Sequence, residues 1–412
     1  MTSRGRTQAW ISVTSVRAGG STLALAILWV LFAVQTTQAQ TFTILHNFTG
    51  GADGSEPVTG LFRDGGGNLY GTTIAGGTFN LGTVFKIDKR GQETILHSFA
   101  GGADGASPRS LLRDHEGNLL GVTLAGGTAE AGTVFKIDKT GLETVVHAFT
   151  GGADGAAPSS PLVLDKTGNL YGSAVTGGDF TCNAPYGCGV VFKIDSSGNE
   201  TVLYAFTGGI GDGSFPSGNL ALDNKGILYG TTNAGGSMSD GTIFAVNTAD
   251  GAERLLFQDF GKYAFQPSGV IRDGKGNLYG TTRFGGILHG PGCQSFGCGT
   301  VFELQANGYL HVLHNFSKAT EGAFPEGLLR DKTGNLYGVA VGGGTGGCRA
   351  MGCGTVFAVD PTGDFALLHT FTGGADGASP EGVLIRDAQG NLYGIAGQGG
   401  TSNKGVVFEI TP

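Results

Sequence analysis

From residue 40 onward the chain is a succession of short apolar runs rich in Val, Ile, Leu, Phe and Tyr, each closed by Gly, Asp, Asn or Pro. Runs of about five to eight residues with that make-up, bounded by turn residues, predict β-strands, and the gaps between them leave no room for a helix. The runs return in a fixed order. Asn-Leu-Tyr-Gly begins at Asn68, Asn169, Asn277, Asn335 and Asn391, with variants at Asn118 and Ile227. Gly-Thr-Val-Phe or a close variant begins at Gly82, Gly132, Gly189, Gly241, Gly299, Gly354 and Gly405. A Pro opens a third run at Pro57, Pro108, Pro158, Pro216, Pro267, Pro325 and Pro380. A fourth run ends in Phe48, Phe99, Phe149, Phe206, Phe260, Phe316 and Phe371.

Each mark occurs seven times, so the chain holds seven units of four strands. Four strands in a unit of ~50 residues make a propeller blade. The predicted fold is therefore all-β: a seven-bladed β-propeller with four antiparallel strands per blade. The repeat region opens on a last-type strand, Thr41 to Phe48, and ends on a third-type strand, Gly405 to Ile410. Pairing the two places the N-terminal strand in the C-terminal blade and leaves no open sheet edge.

Other repeated residues read as structure. Asp64, Asp114, Asp165, Asp223, Asp273, Asp331 and Asp387 each precede a Gly by three residues, the spacing of a tight turn held by the Asp side chain. Arg63, Arg113, Arg272, Arg330 and Arg386 stand beside these Asp residues, in place to ring a central channel and to pair with the adjacent carboxylate. His46, His97, His147, His314 and His369 share one position, two before the Phe of the fourth strand, which points to packing rather than catalysis.

Taken together, Gly-Asn-Leu-Tyr-Gly-Thr-Thr, a Gly-Gly pair, Gly-Thr-Val-Phe-Lys-Ile-Asp and Leu-His-x-Phe resemble the GloVer (Gloeobacter/Verrucomicrobia-type) tandem repeat of bacterial exported or surface proteins. The resemblance covers nearly all of residues 40–412 and implies an architecture without assigned catalytic residues.

Composition sharpens the setting. Gly reaches 79 of 412 residues without a collagen period. Residues 1–39 combine Arg4, Arg6 and Arg17 with an uncharged apolar run, Leu23 to Val34, and end in Thr37-Gln38-Ala39. This is the make-up of a secretory signal peptide, and the run is shorter than the ~20 residues of a membrane span. The expected domains are a signal peptide at 1–39 and a propeller at 40–412, with no transmembrane segment in the mature chain. Without the leader, Lys and Arg fall from 25 to 22 against 33 acidic residues, and the formal charge moves from −8 to −11. Nucleic acid is an unsuitable partner for such a surface. The expected location is secreted, periplasmic or cell-surface, and the expected state is a monomer.

The units differ most between the Gly-Gly pair and Gly-Thr-Val-Phe, where units 1, 2, 4 and 7 carry four residues but units 3, 5 and 6 carry ten, twelve and nine. All six cysteines lie there, as Cys182 and Cys188, Cys293 and Cys298, Cys348 and Cys353. Local disulfides are expected, since the spacing is not that of a zinc site. These loops supply the candidate ligand-binding residues Phe180, Tyr186, His289, Phe296 and Arg349, with no catalytic residues or metal ligands assigned. Asp53, Asp104, Asp154, Asp212 and Asp376 sit in Gly-rich loops on the same face. Ca²⁺ is one use for such a ring of carboxylates, but the dense Asp spacing of calcium loops is missing and turns explain them, so no cofactor is expected. Two functions stay open: an extracytoplasmic binding or scaffold module for a protein or glycan partner, and a carbohydrate-active enzyme working from the long loops, with Asp179 among its groups. An enzyme should gather unlike polar side chains at one point, whereas a scaffold should not.

Overall fold

The computed structural model describes residues 40–261, 264–288, 293, 296–317, 320–348 and 352–412; the leader-like segment 1–39 lies outside the described residues. Regular structure among them is β, save for short 3-10 turns such as Gly102–Asp104. Unit 1 is the antiparallel meander Ser55–Arg63, Leu69–Ala75, Thr83–Ile87 and Glu93–Ser98. Units 2, 4, 5 and 6 repeat it as separate four-stranded sheets. In unit 3 the first strand is split into Ala156–Pro158 and Val163–Leu164, flanking Pro161, which has no N–H to give to the ladder.

The last three strands, Ala378–Arg386, Leu392–Gln398 and Val406–Thr411, gain a fourth from the other end of the chain. Thr41–Asn47 pairs antiparallel with Val406–Thr411, Thr41 opposite Thr411 and Asn47 opposite Val406. A single parallel bridge, Gly60 to Val383, joins this sheet to unit 1, so the two make one continuous eight-stranded sheet.

The invariant residues are the ones that touch the next unit. The Phe ending each fourth strand packs on the Phe of Gly-Thr-Val-Phe one unit on, as Phe99 does on Phe135, with ring centroids 5.1 Å apart in the edge-on arrangement aromatic pairs favour. The same pairing runs Phe149–Phe192, Phe206–Phe244, Phe260–Phe302, Phe316–Phe357 and Phe371–Phe408, and the N-terminal strand supplies Phe48 for Phe85. Nearly all of these rings are fully buried and form the core between sheets. The Gly of the second strand makes room for the same Phe: a Cβ on Gly71 would stand 2.6 Å from Phe85 Cζ.

A second contact links the units nearer the first strands. The Gly opening each third strand lies on the next unit's Pro, with 2.5 Å between a Cβ on Gly82 and Pro108 Cδ and 2.4 Å between one on Gly405 and Pro57 Cδ. The residue before that Pro then donates its N–H to the residue before that Gly, as in Ser107 to Leu81 at 2.8 Å and Glu56 to Lys404 at 2.9 Å.

The turn aspartates do what their spacing predicts. Asp64 accepts from the Asn68 backbone N–H at 2.9 Å, the Asn68 side chain at 2.8 Å and the Tyr70 hydroxyl at 3.0 Å. Burial alone would raise its pKa, but these bonds hold it below the usual carboxylate range. The neighbouring arginines differ from expectation: Arg63, Arg272, Arg330 and Arg386 reach back to the preceding unit instead of pairing with their own Asp, while Arg113 donates to the Gly117 carbonyl of its own turn. Arg63 lies 3.9 Å from Asp387 and 5.4 Å above the Tyr393 ring, and Arg272 meets Asp223 and Tyr229 in the same way. They tie units together on the turn face and do not line the central cavity.

Candidate functional site

The first strands of all seven units converge on a cavity of about 380 Å³. Its lining comes from the start of each first strand and the end of the second, the edge from which the Gly-Gly loops leave. The residue before each Pro enters the left-handed region, with φ of 57° at Glu56, 56° at Gln266 and 60° at Phe324. Side-chain-bearing residues adopt that conformation only when their surroundings impose it, and here the inter-unit N–H bond does so.

In six of the seven units the position after the Pro lines the cavity, and it is where the repeat stops repeating. Units 3, 4 and 5 place Ser159, Ser217 and Ser268 there, whereas unit 2 places Arg109, unit 6 Glu326 and unit 7 Glu381. Unit 5 adds Arg283 from its second strand, with Nη1 3.9 Å from Glu326 Oε1. Burial raises the Glu326 pKa against the pull of Arg283 and Arg109. Burial and the charge of Glu326 push Glu381 up to about 7, again opposed by the two arginines. The Arg109 Nε is buried without a hydrogen-bond partner among the described residues. The cavity thus joins two guanidinium groups to two carboxyl groups, one of them able to keep its proton near neutrality. Such a set can give and accept hydrogen bonds at several points of one polar ligand.

Three disulfides staple the long loops: Cys182–Cys188, Cys293–Cys298 and Cys348–Cys353, with Cα atoms 5.7, 5.0 and 5.0 Å apart. The second Cys of each pair also accepts the inter-unit N–H bond, from Phe215, Phe324 and Ser379 respectively. Each loop base is therefore fixed both to its own unit and to the next. Among the predicted ligand-binding residues, Phe180, Tyr186 and Phe296 are exposed, while His289 and Arg349 lie outside the described residues. Phe296 approaches Phe265 at 6.3 Å and Phe284 at 6.1 Å. The Arg283 guanidinium sits over Phe284 at 5.9 Å and Phe324 at 6.0 Å, so this loop connects to the cavity wall. Phe180 and Tyr186 stand on the unit 3 loop and do not line the cavity. Asp179 on that loop is a turn former, its Oδ1 accepting from the Thr181 N–H and hydroxyl at 2.8 and 2.7 Å.

Residues 30–184 and 223–412 match the model of the Gloeobacter/Verrucomicrobia repeat. The chain belongs to that family. Among solved structures it is similar to virginiamycin B lyase from Staphylococcus aureus, at 12% identity and a TM-score of 0.60, covering 90% of this chain and 99% of that one. It is also similar to the extracellular domain of BT4673 from B. thetaiotaomicron, at 9% identity and a TM-score of 0.56, covering 88% of this chain and 39% of that one. At these identities the likeness is one of fold, all-β and propeller-like. No curated protein matches the chain. In this Gloeobacter/Verrucomicrobia repeat protein the repeated positions hold units together, and Arg109, Arg283, Glu326 and Glu381 stand where the repeat lapses. Sequence reasoning passed over these four; the signal was the position after each Pro, which changes from Val58 to Arg109 to Ser159 while the Pro itself stays constant.

Proposed function

We propose that this protein is an exported seven-bladed β-propeller, closed by its N-terminal strand, that binds a small hydroxyl-rich ligand, such as the end of a glycan, in its central cavity. The observation that carries the reading is the gathering of Arg109, Arg283, Glu326 and Glu381, unlike residues from different units, around one cavity of about 380 Å³. That volume lies within the roughly 300 to 1,000 Å³ of ligand pockets. Guanidinium groups and carboxylates bind neighbouring sugar hydroxyls from opposite sides, and a protonated Glu381 adds a donor. The leader-like residues 1–39 and the three disulfides support export, because disulfides persist in oxidising compartments. Among the described residues, no helix is long and apolar enough to cross a membrane. Three exposed aromatic side chains, Phe180, Tyr186 and Phe296, favour a second reading. In it, the long loops, with His289 and Arg349, grip a polysaccharide for a carbohydrate-active enzyme. A glycan array probed with the purified protein, followed by titration of each hit and assay of its products, tests both. Binding without turnover supports the first reading and product release the second.

A further inference from the structure

The histidines of the fourth strand pack as their recurrence predicts, His46 edge-on to Phe48 and His97 to Phe99, both at 4.7 Å. Packing does not explain what faces their other side. The Gly-rich loop that follows folds its Asp back: His46 Nε2 stands 4.0 Å from Asp53, and His97 Nε2 stands 2.9 Å from Asp104. The fourth strand of the next unit begins at the same place, and its first residue varies. In units 1 to 4 it is Glu93, Glu143, Glu200 or Glu253; in unit 6 it is Phe365, and in the N-terminal strand its counterpart is Phe42. Where a Phe is present the His stacks flat on it, His314 on Phe365 at 4.3 Å and His369 on Phe42 at 3.7 Å. At Glu93 and Glu143, two carboxyl groups and an imidazole meet in a half-buried crevice between units.

We infer that two of these junctions are binding sites for a divalent transition-metal ion of the Zn²⁺ class, one held by His46, Asp53 and Glu93 and the other by His97, Asp104 and Glu143. In each trio the ligand atoms all lie within 4.8 Å of one another. In the first, His46 Nε2 and Glu93 Oε1 are 3.7 Å apart, close to the spacing of two ligands around one such ion at ~2.0 to 2.2 Å from each. Both atoms are shielded from solvent and have no hydrogen-bond partner among the described residues. Asp53 is already oriented, its carboxylate accepting from the Thr49 N–H and hydroxyl at 2.6 Å each. Such outer contacts hold metal-binding carboxylates in place. One imidazole and two carboxylates suit a borderline cation that accepts three protein ligands and water. Ca²⁺ prefers six to eight oxygens and is the poorer occupant. A metal there would bridge neighbouring units and cancel the repulsion between the paired carboxyl groups. The junction at Tyr204, Asp212 and Glu253 lacks the His and serves as an internal control.

The test uses the purified chain, stripped with chelator, then loaded with ZnCl₂ or CoCl₂ and freed of unbound ion. Elemental analysis should find two equivalents of Zn²⁺, one for each trio. Co²⁺ should give the visible absorption of a low-coordinate site. Glu93→Gln and Glu143→Gln should each remove one equivalent and together both, while Glu253→Gln removes none. Glutamine keeps the shape of a protonated glutamate, and circular dichroism checks that the variants remain folded. Because the Co²⁺ spectrum is read on the unaltered chain, misfolding of a variant cannot decide the result. Absence of retained metal and of Co²⁺ absorption in the unaltered chain overturns the inference. So does full occupancy in the Glu93→Gln, Glu143→Gln double variant. In either case protons alone neutralise these junctions.

Discussion

Gly405 lies directly on Pro57, so close that a Cβ on the glycine would stand 2.4 Å from the proline Cδ. Gly405 immediately precedes the strand Val406–Thr411 and Pro57 belongs to the first strand of unit 1, yet their contact is the one that Gly82 makes with Pro108 and Gly132 with Pro158. Beside it, Glu56 donates to the Lys404 carbonyl and Phe48 packs on Phe85. The two ends of the repeat array therefore meet through the same three contacts that join consecutive units.

Gly405→Ala should cost about 2 kcal/mol or more, combining a left-handed backbone with a clash against a rigid ring. Gly141 has a comparable φ of +88° but nothing within 4 Å of an added Cβ. Gly141→Ala should then cost only about 1 kcal/mol. Urea unfolding of both variants separates the contact from the backbone conformation, and equal losses would count against a junction role.

Deleting residues 40–48 should do far more than remove one strand. It uncovers the edge of Val406–Thr411 and takes Phe48 away from Phe85. An unpaired, apolar strand edge recruits other chains. Size-exclusion chromatography should show larger species than the intact protein gives, and an unchanged elution volume and melting temperature would contradict the pairing.

Stability should fall as pH rises from about 6.5 to 8 in chelator-treated protein. Burial, with the charge of Asp53 added, pushes Glu93 up to about 8. Glu143, Glu200, Glu253 and Glu381 are raised to about 7, burial again being the main cause. The folded state then binds more protons than the unfolded chain, so raising pH favours unfolding until the folded-state pKa is passed. His46, His147, His314 and His369 are shifted down by burial and act in the opposite sense, but only below their ordinary value of 6.5. Melting temperatures across this window should drop, and Glu381→Gln, chosen away from the rim, should flatten part of the drop. A flat profile in the unaltered protein would show that these carboxyl groups ionise freely.

The units, their strands and the cysteine pairs were legible because each is written into neighbouring residues: alternation, Gly and Asp at turns, two Cys at one loop base. Contacts between units were not, since nothing in Arg63-Asp64 says that strand twist carries the arginine to Asp387 and Tyr393. The central cavity was hidden for a related reason. Arg109, Glu326 and Glu381 look like ordinary polar substitutions until the units are arranged around a common cavity, where one variable position from six of them becomes a single surface. The long loops drew attention by length and aromatic content, yet among their described aromatic residues only Phe296 is linked to that surface, through Phe284 and Arg283.

Titration of a glycan ligand into matched variants tests the central claim most directly. Arg109→Ala and Glu381→Ala should each weaken binding about tenfold or more, the loss of roughly 1.4 kcal/mol expected when a charged or protonated partner is removed from a buried contact. Replacing the unit 3 loop, with Phe180 and Tyr186, by a four-residue loop like that of unit 1 should change the affinity little. Unchanged affinity in both cavity variants, with binding lost on shortening the loop, would contradict the account and place the ligand on the long loops instead.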